Sequence, residues 1–358
     1  MQLFPKKLSQ IYLVLLVSAF LTITGNFTFF QKTILIYPLS ENWLFLGSLF
    51  FFLFTFLAAL LLLFCYRVTT KPILIVLLMI SAIVSYSTNN YGIVFDHNMI
   101  LNTFETDTSE FLDLVSFKSI LYFFIFGLLP SIFVLKVKLI KISFKAQLWE
   151  RIKTLLVLVI IFVILVLTFS KHYSSFAREN RDLRLYITPT YYLYSATKFV
   201  DSKFATSTKP FKEIGLDAKL NKKSDKRRLV ILVVGETARS DHMSINGYDL
   251  KTNPNLEQEE IVSFNKMTSC GTDTALSVPC MFSILDRSSY NHAKGKNMSN
   301  VLDIISHTGV SVLWLDNNSS SKSVADRITF KDYRSSKLNS ICNPECRDEG
   351  MLTNLQGF

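Results

Sequence analysis

The sequence predicts a bundle of five membrane-spanning helices followed by an α/β domain with a parallel sheet. Three observations predict it. The first part of the chain holds five apolar stretches free of charge, the basic residues collect on one side of them, and two continuous apolar runs separated by a helical pattern follow further on. The composition agrees, because the 358 residues are 49% hydrophobic and 13% aromatic, with 31 Phe and only 18% charged residues. Soluble domains sit near 25% charged.

The charge-free stretches run from Leu8 to Gln31, Asn42 to Tyr66, Pro72 to Phe95, Ser119 to Leu135 and Thr154 to Ser170, and hold 24, 25, 24, 17 and 17 residues. A spanning helix needs about 20 apolar residues, with a lower limit near 17. The spans are therefore expected at about 10–30, 43–66, 72–90, 119–135 and 154–170. The two shortest are flanked by Lys118 and Lys136 and by Lys153 and Lys171, whose long stems reach the interface and extend the usable length. The first stretch follows Lys6 and Lys7 as a signal peptide would, but four more apolar segments and the lack of a small-x-small cleavage site favour an anchor.

Orientation follows from the short loops. One side carries Lys6, Lys7, Arg67, Lys71, Lys136, Lys138, Lys141, Lys145, Arg151 and Lys153, whereas the other carries Lys32 and Lys118. The positive-inside rule places the amino terminus in the cytoplasm, and five spans then put everything after about Ser170 outside. The net charge of +10 thus reflects loop placement rather than nucleic acid binding.

Between the third and fourth spans, Tyr91 to Phe117 contains no Lys or Arg and five acids: Asp96, Glu105, Asp107, Glu110 and Asp113. Asn102, Thr106 and Glu110 recur at i, i+4 and i+8, so a helix presents them on one face, either as a solvated face or as a holder for a cationic lipid head group. Residues 171–228 read as an interfacial helix rich in Tyr (Tyr186, Tyr191, Tyr192, Tyr194), then a polar linker from Asp201 to Arg228.

The external domain, 229–358, begins with Leu229–Val234, LVILVV, a run expected of a strand buried on both faces. Val301, Leu302, Ile304 and Ile305 give a helical face, Gly309 a stop, and VSVLWL a second buried strand. Strand, helix, strand argues for an α/β fold, in which ligands gather beyond the carboxyl ends of the strands. That places Gly235-Glu236 and Asp316-Asn317 beside the expected site. Cys65 falls within a span and packs as a small apolar residue. Cys270, Cys280, Cys342 and Cys346 all lie outside, with spacings that favour two local disulfides, 270–280 and 342–346, over a zinc cluster.

The stretch Gly235 to Leu256, GETARSDHMSINGYDLKTNPNL, followed by TSCGTDTALSVPCMFS at Thr268 to Ser283, resembles the phosphoethanolamine transferases that decorate bacterial lipopolysaccharide. The NxxxTxxxE pattern of Asn102, Thr106 and Glu110, the segment Trp314 to Arg327 and CNPECRDEGML at Cys342 to Leu352 resemble the same family. The resemblance implies a sulfatase-like domain of the alkaline phosphatase superfamily, periplasmic and joined to an inner-membrane anchor. It implies zinc as cofactor, with Glu236 as a ligand and Thr274 as both ligand and nucleophile. Lys322 is expected near the phosphate, and Asn102, Thr106 and Glu110 near the donor lipid. The implied reaction moves phosphoethanolamine from phosphatidylethanolamine to lipid A or the lipopolysaccharide core through a phospho-threonine.

These residue types suit that chemistry. A threonine hydroxyl is a weak nucleophile at neutral pH, and a metal lowers its pKa. Carboxylate oxygen is an accepted zinc ligand, and a disulfide across Cys270 and Cys280 would restrain the loop that carries Thr274. The resemblance also implies a longer catalytic domain whose later histidine motifs complete the zinc site. The expectation is therefore that these 358 residues bind zinc weakly and are inactive alone. A non-catalytic membrane remnant that binds lipid, or a related phosphoglycerol-type transferase, are the competing readings.

Overall fold

The computed structural model describes residues 7–105, 114–207, 210–221, 228–318, 320–343 and 345–353. The chain divides into two compact units, one of Met1–Ile100 with Thr108–Val200 and the other of Leu101–Asp107 with Asp201–Phe358.

The first unit is helical. Helices α1 (Gln10–Gly25), α2 (Phe27–Ile36), α3 (Leu39–Phe64), α4 (Thr70–Tyr91), α5 (His97–Glu105), α6 (Phe117–Lys136), α7 (Phe144–Thr168) and α8 (Ser170–Glu179) follow one another, and α9 (Thr190–Ser207) leads into the second unit. Its core joins Leu13, Val14 and Val17 of α1 to Leu57 and Leu61 of α3, Leu74 and Leu78 of α4, Val134 of α6 and Leu158 of α7. Outward faces stay apolar: Phe51, Phe56, Leu63, Leu156, Val159, Ile160, Ile164 and Leu167 are exposed, as a helix in contact with lipid requires. Buried hydroxyls are satisfied inside their own helices, as when Ser18 donates to the Val14 carbonyl at 2.8 Å and Thr22 to the Ser18 carbonyl at 2.8 Å.

Four of these helices, α3, α4, α6 and α7, are long and apolar enough to span a membrane, and the bent pair α1–α2 brings the number up to five. The expected first span at 10–30 is not one straight helix. The axis turns by 58° between α1 and α2, where Asn26 leaves helical geometry at φ −118°, ψ 24°. The Asn26 amide donates to the Leu21 and Thr22 carbonyls at 3.2 and 3.3 Å and to Thr188 O at 2.9 Å, while its Oδ1 accepts from Thr188 N at 2.9 Å. One side chain thus absorbs groups that the break frees. The expected fifth span at 154–170 falls on the later part of a longer helix that begins at Phe144, where Ser143 caps it by accepting from Ala146 N at 3.3 Å. A charge gap marks the apolar part of a helix, not its first turn.

The second unit contains helices α10 (Thr274–Met281), α11 (His292–Lys296) and α12 (Val301–His307), and strands β1 (Leu313–Asp316) and β2 (Thr329–Asp332). The strands pair in parallel with Leu313 opposite Thr329 and Asp316 opposite Asp332. Helix α12 matches the expected helix: Asn300 and Asp303 form a capping box, and Gly309 follows at φ +87°. Helix α10 packs Val278 and Phe282 against Val324 and Trp314, with the Phe282 and Trp314 rings 5.6 Å apart.

The expected strand at Leu229–Val234 does not form. Leu229 to Val233 are between 64% and 87% exposed, and only Val234 joins the apolar cluster around Val278. An apolar run becomes a buried strand only where ladder partners and covered faces exist, and among the described residues nothing pairs with it. Part of the expected linker is structured instead. Lys212 N donates to Asn297 O at 2.8 Å, Ser299 N to Lys212 O at 3.0 Å, and the His307 ring bonds Leu216 O at 2.9 Å, which fastens this segment to the surroundings of α11 and α12.

Candidate active site

Helix α10 starts at Thr274 because Asp273 caps it, its Oδ1 accepting from Leu276 N at 2.9 Å. The Cys270–Cys280 disulfide ties the preceding loop to the last turn of the same helix, and Cys342–Cys346 closes a second short loop. Both pairings are those expected from the spacing. Cys65 is free and buried.

The half-buried Thr274 faces an exposed carboxylate. Its Oγ1 donates toward Glu236 and lies 3.2 Å from each of the two carboxylate oxygens. Glu236 also accepts from the Thr237 hydroxyl at 3.0 Å and from Asn318 Nδ2 at 3.2 Å. These donors are all neutral hydroxyl and amide groups.

Asn318 was not singled out from the sequence. It reaches Glu236 because Asp316, buried at the end of β1, organises the loop that follows. Asp316 Oδ1 accepts from Asn318 N at 3.0 Å and Ser320 N at 3.2 Å, and Oδ2 accepts from the Trp314 indole at 3.0 Å. The neighbouring Asn317 amide donates to Cys346 O and Asp348 Oδ1, both at 2.8 Å. The sequence signal was present in Asp-Asn-Asn directly after an apolar run, since a carboxylate there can bond the next backbone N–H groups.

Backbone strain concentrates in the same two loops. Among the described residues, the non-glycine residues with positive φ are Thr237 (56°), Ser320 (95°), Lys322 (49°) and Ser323 (73°). Each such conformation costs of order 1–3 kcal/mol and persists where its surroundings over-determine it. Lys322 is buried on this loop, four residues beyond Asn318, with its N–H donating to Ser320 Oγ at 3.3 Å.

Asn102 lies half-buried on α5, whereas Thr106 and Glu110 fall outside the described residues. Asp241 and His242, downstream of Glu236, engage each other instead. Arg239 donates to Asp241 at 3.0 and 2.5 Å and the His242 ring lies 3.1 Å away. Those bonds, from Arg239 first, hold the Asp241 carboxyl well below the usual carboxylate range.

For zinc, the fit is one of kind and not of number. Glu236 and Thr274 offer two convergent oxygen donors, but zinc takes three or four protein ligands. Among the described residues no group of three or more His, Cys, Asp or Glu converges as a metal site.

Residues 53–204 match the family described as phosphoethanolamine transferase EptA/EptB, and residues 228–358 match the sulfatase family. The chain is 40% identical over 368 residues to the phosphatidylethanolamine transferase Mcr-1 of Escherichia coli, covering 99% of this chain and 68% of that protein. It is 31% identical to the phosphoethanolamine transferase EptA of Escherichia coli K12 over 96% of this chain and 64% of that protein. The integral membrane lipooligosaccharide phosphoethanolamine transferase A of Neisseria meningitidis superposes with a TM-score of 0.91 at 29% identity, covering 98% of this chain and 66% of that one. The chain therefore spans about two thirds of the length of these relatives.

Proposed function

Because this chain belongs to the phosphoethanolamine transferase family, we propose that it carries the donor-side chemistry of a transfer from phosphatidylethanolamine to lipid A or the lipopolysaccharide core. In this reading residues 1–170 anchor the protein in the bacterial inner membrane with the amino terminus cytoplasmic. Residues 171–228 form the interfacial link, and 229–358 belong to a periplasmic sulfatase-like domain.

The observation that supports the reading is the meeting of Thr274 with Glu236 and Asn318. Thr274 Oγ attacks the phosphorus of the donor, an Oγ–P bond forms, the P–O bond to the glycerol breaks, and the proton lost from the Thr274 hydroxyl ends on the glycerol oxygen, releasing diacylglycerol. An acceptor oxygen then attacks the same phosphorus and releases Thr274. Glu236 orients the hydroxyl by accepting its proton in a hydrogen bond, which points the remaining lone pairs of Oγ1 away from the carboxylate. Asn318 holds the carboxylate in place through its second oxygen. Lys322 supplies positive charge for the donor phosphate, and Asn102, Thr106 and Glu110 supply polar contacts for the donor head group. Zinc belongs to this reading: Glu236 and Thr274 would supply two of its ligands, and the metal, once bound, would lower the pKa of the hydroxyl.

The test is mass spectrometry of lipid A from a host making the chain alone or extended by the part of the Escherichia coli relative beyond the matched region. Phosphoethanolamine addition is expected from the extended chain and loss by at least about 10³-fold in Thr274→Ala. Unchanged modification in that variant removes Thr274 as nucleophile.

A further inference from the structure

At the end of the helical unit to which the basic loops belong, four elements converge on a polar cluster. Gln10, the first residue of α1, donates to Cys65 O at 2.6 Å and to Thr70 Oγ1 at 2.5 Å. Gln147 of α7 donates to Gln10 Oε1. Arg151, one turn further along α7, donates through NH2 to the same Cys65 carbonyl at the end of α3, and the Tyr66 ring lies 4.1 Å from its guanidinium carbon.

Arg151 is only 5% exposed, and its NH1 is buried without a hydrogen-bond partner. No carboxylate pairs with it among the described residues, and the adjacent Glu150 is exposed. A buried charge is costly unless an opposite charge and full hydrogen bonding compensate it, whereas a carbonyl oxygen and a ring face supply only partial negative charge. The segments next to this cluster in sequence carry further cations: Arg67 in the α3–α4 turn, Lys71 in the first turn of α4, Lys138 and Lys141 between α6 and α7, and Lys145 in the first turn of α7. Trp149, 60% exposed, lies 5.3 Å from the Lys153 ammonium on the same turns of α7, an aromatic residue of the kind that sits at head-group level.

We propose that this end of the bundle is a binding site for the phosphate of an anionic phospholipid, with Arg151 as its anchoring cation. The phosphate oxygens meet NH1 once the Tyr66 ring, half exposed at the α3–α4 turn, swings aside, and the loop lysines meet the remaining negative charge. A head group supplies the charge that the protein leaves out, and its acyl chains lie along the apolar outer faces of α3 and α7. Lipid binding at Arg151 does not depend on the Thr274 chemistry.

The 358-residue chain is extracted from membranes containing phosphatidylcholine alone or phosphatidylcholine with phosphatidylglycerol, and retained lipid is counted by native mass spectrometry. The wild type is expected to retain phosphatidylglycerol and not phosphatidylcholine. Arg151→Gln is expected to retain about tenfold less, while Lys118→Gln, on the side away from the basic loops, stays close to wild type. Wild-type protein with no preference for phosphatidylglycerol overturns the proposal, as does undiminished retention in Arg151→Gln. Should Arg151→Gln not fold, the wild-type preference for phosphatidylglycerol and its resistance to inorganic phosphate decide the matter. Displacement of the retained lipid by inorganic phosphate at equal concentration would mean a soluble-anion site and overturn the lipid assignment, whereas resistance to it supports the lipid.

Discussion

Thr274 Oγ1 and the Glu236 carboxylate, 38 residues apart in sequence, are joined by a forked hydrogen bond of 3.2 Å to each oxygen. Replacing Glu236 by Gln keeps the shape but removes the charge that holds the hydroxyl. A hydrogen bond to a charged group contributes about 1.5–3 kcal/mol, so transferase activity of the extended chain is expected to fall by about 10- to 100-fold. Asn318→Ala, which leaves the pair intact and loosens only the carboxylate, is expected to fall less. Equal losses in the two variants would show that Glu236 acts only as scaffold.

Asp316 is the pivot of the loop that delivers Asn318. Removing its carboxyl leaves the backbone N–H groups of Asn318 and Ser320 and the Trp314 indole without their acceptor. Asp316→Ala is expected to destabilise the second unit by about 3 kcal/mol, read from urea denaturation followed by tryptophan fluorescence. Asp316→Asn retains one acceptor oxygen and should lose about half as much.

The loop closed by Cys270 and Cys280 has a sequence separation of 10, against 4 for Cys342 and Cys346. Loop-closure entropy gives about 2.5–3 kcal/mol for the longer loop and about 2 kcal/mol for the shorter. Replacing both Cys270 and Cys280 with Ser should therefore cost more stability than replacing Cys342 and Cys346, compared by denaturation without reductant. Only the former should also reduce activity, because that loop leads into Thr274.

Asp286 accepts from the Ser289 hydroxyl at 2.6 Å, from Ser289 N at 2.8 Å and from the Ser288 hydroxyl at 2.9 Å. The Ser289 hydroxyl first, with the backbone N–H and Ser288 behind it, lowers the Asp286 pKa to about 2. An unfolded Asp titrates near 3.9, so folding favours the charged form. The turn's contribution is present above about pH 4 and lost as pH falls through about 2. Amide exchange at Ser289 should accelerate across that window, and Ser289→Ala should move the midpoint upward.

How much of this molecule is legible in its sequence differs between the two units. Apolar length fixed α3, α4, α6 and α7, since water-free surroundings demand about 20 apolar residues whatever the neighbours are. Cysteine spacing predicted both disulfides, and Gly309 marked the end of α12, because a helix stop is a local signal. The Asn26 bend was not legible: it depends on Thr188, 162 residues away. The apolar run at Leu229–Val233 was misleading for a related reason, as strand formation is decided by partners that periodicity does not reveal. In the candidate site the sequence singled out Glu236, Thr274 and Lys322 by motif. Tertiary structure alone brought Glu236 to Thr274 and added Asn318, because a hydrogen bond between distant segments exists only after β1 and its strained loop have fixed where the side chains stand. Local chemistry determined the elements, and long-range packing decided which of their residues meet.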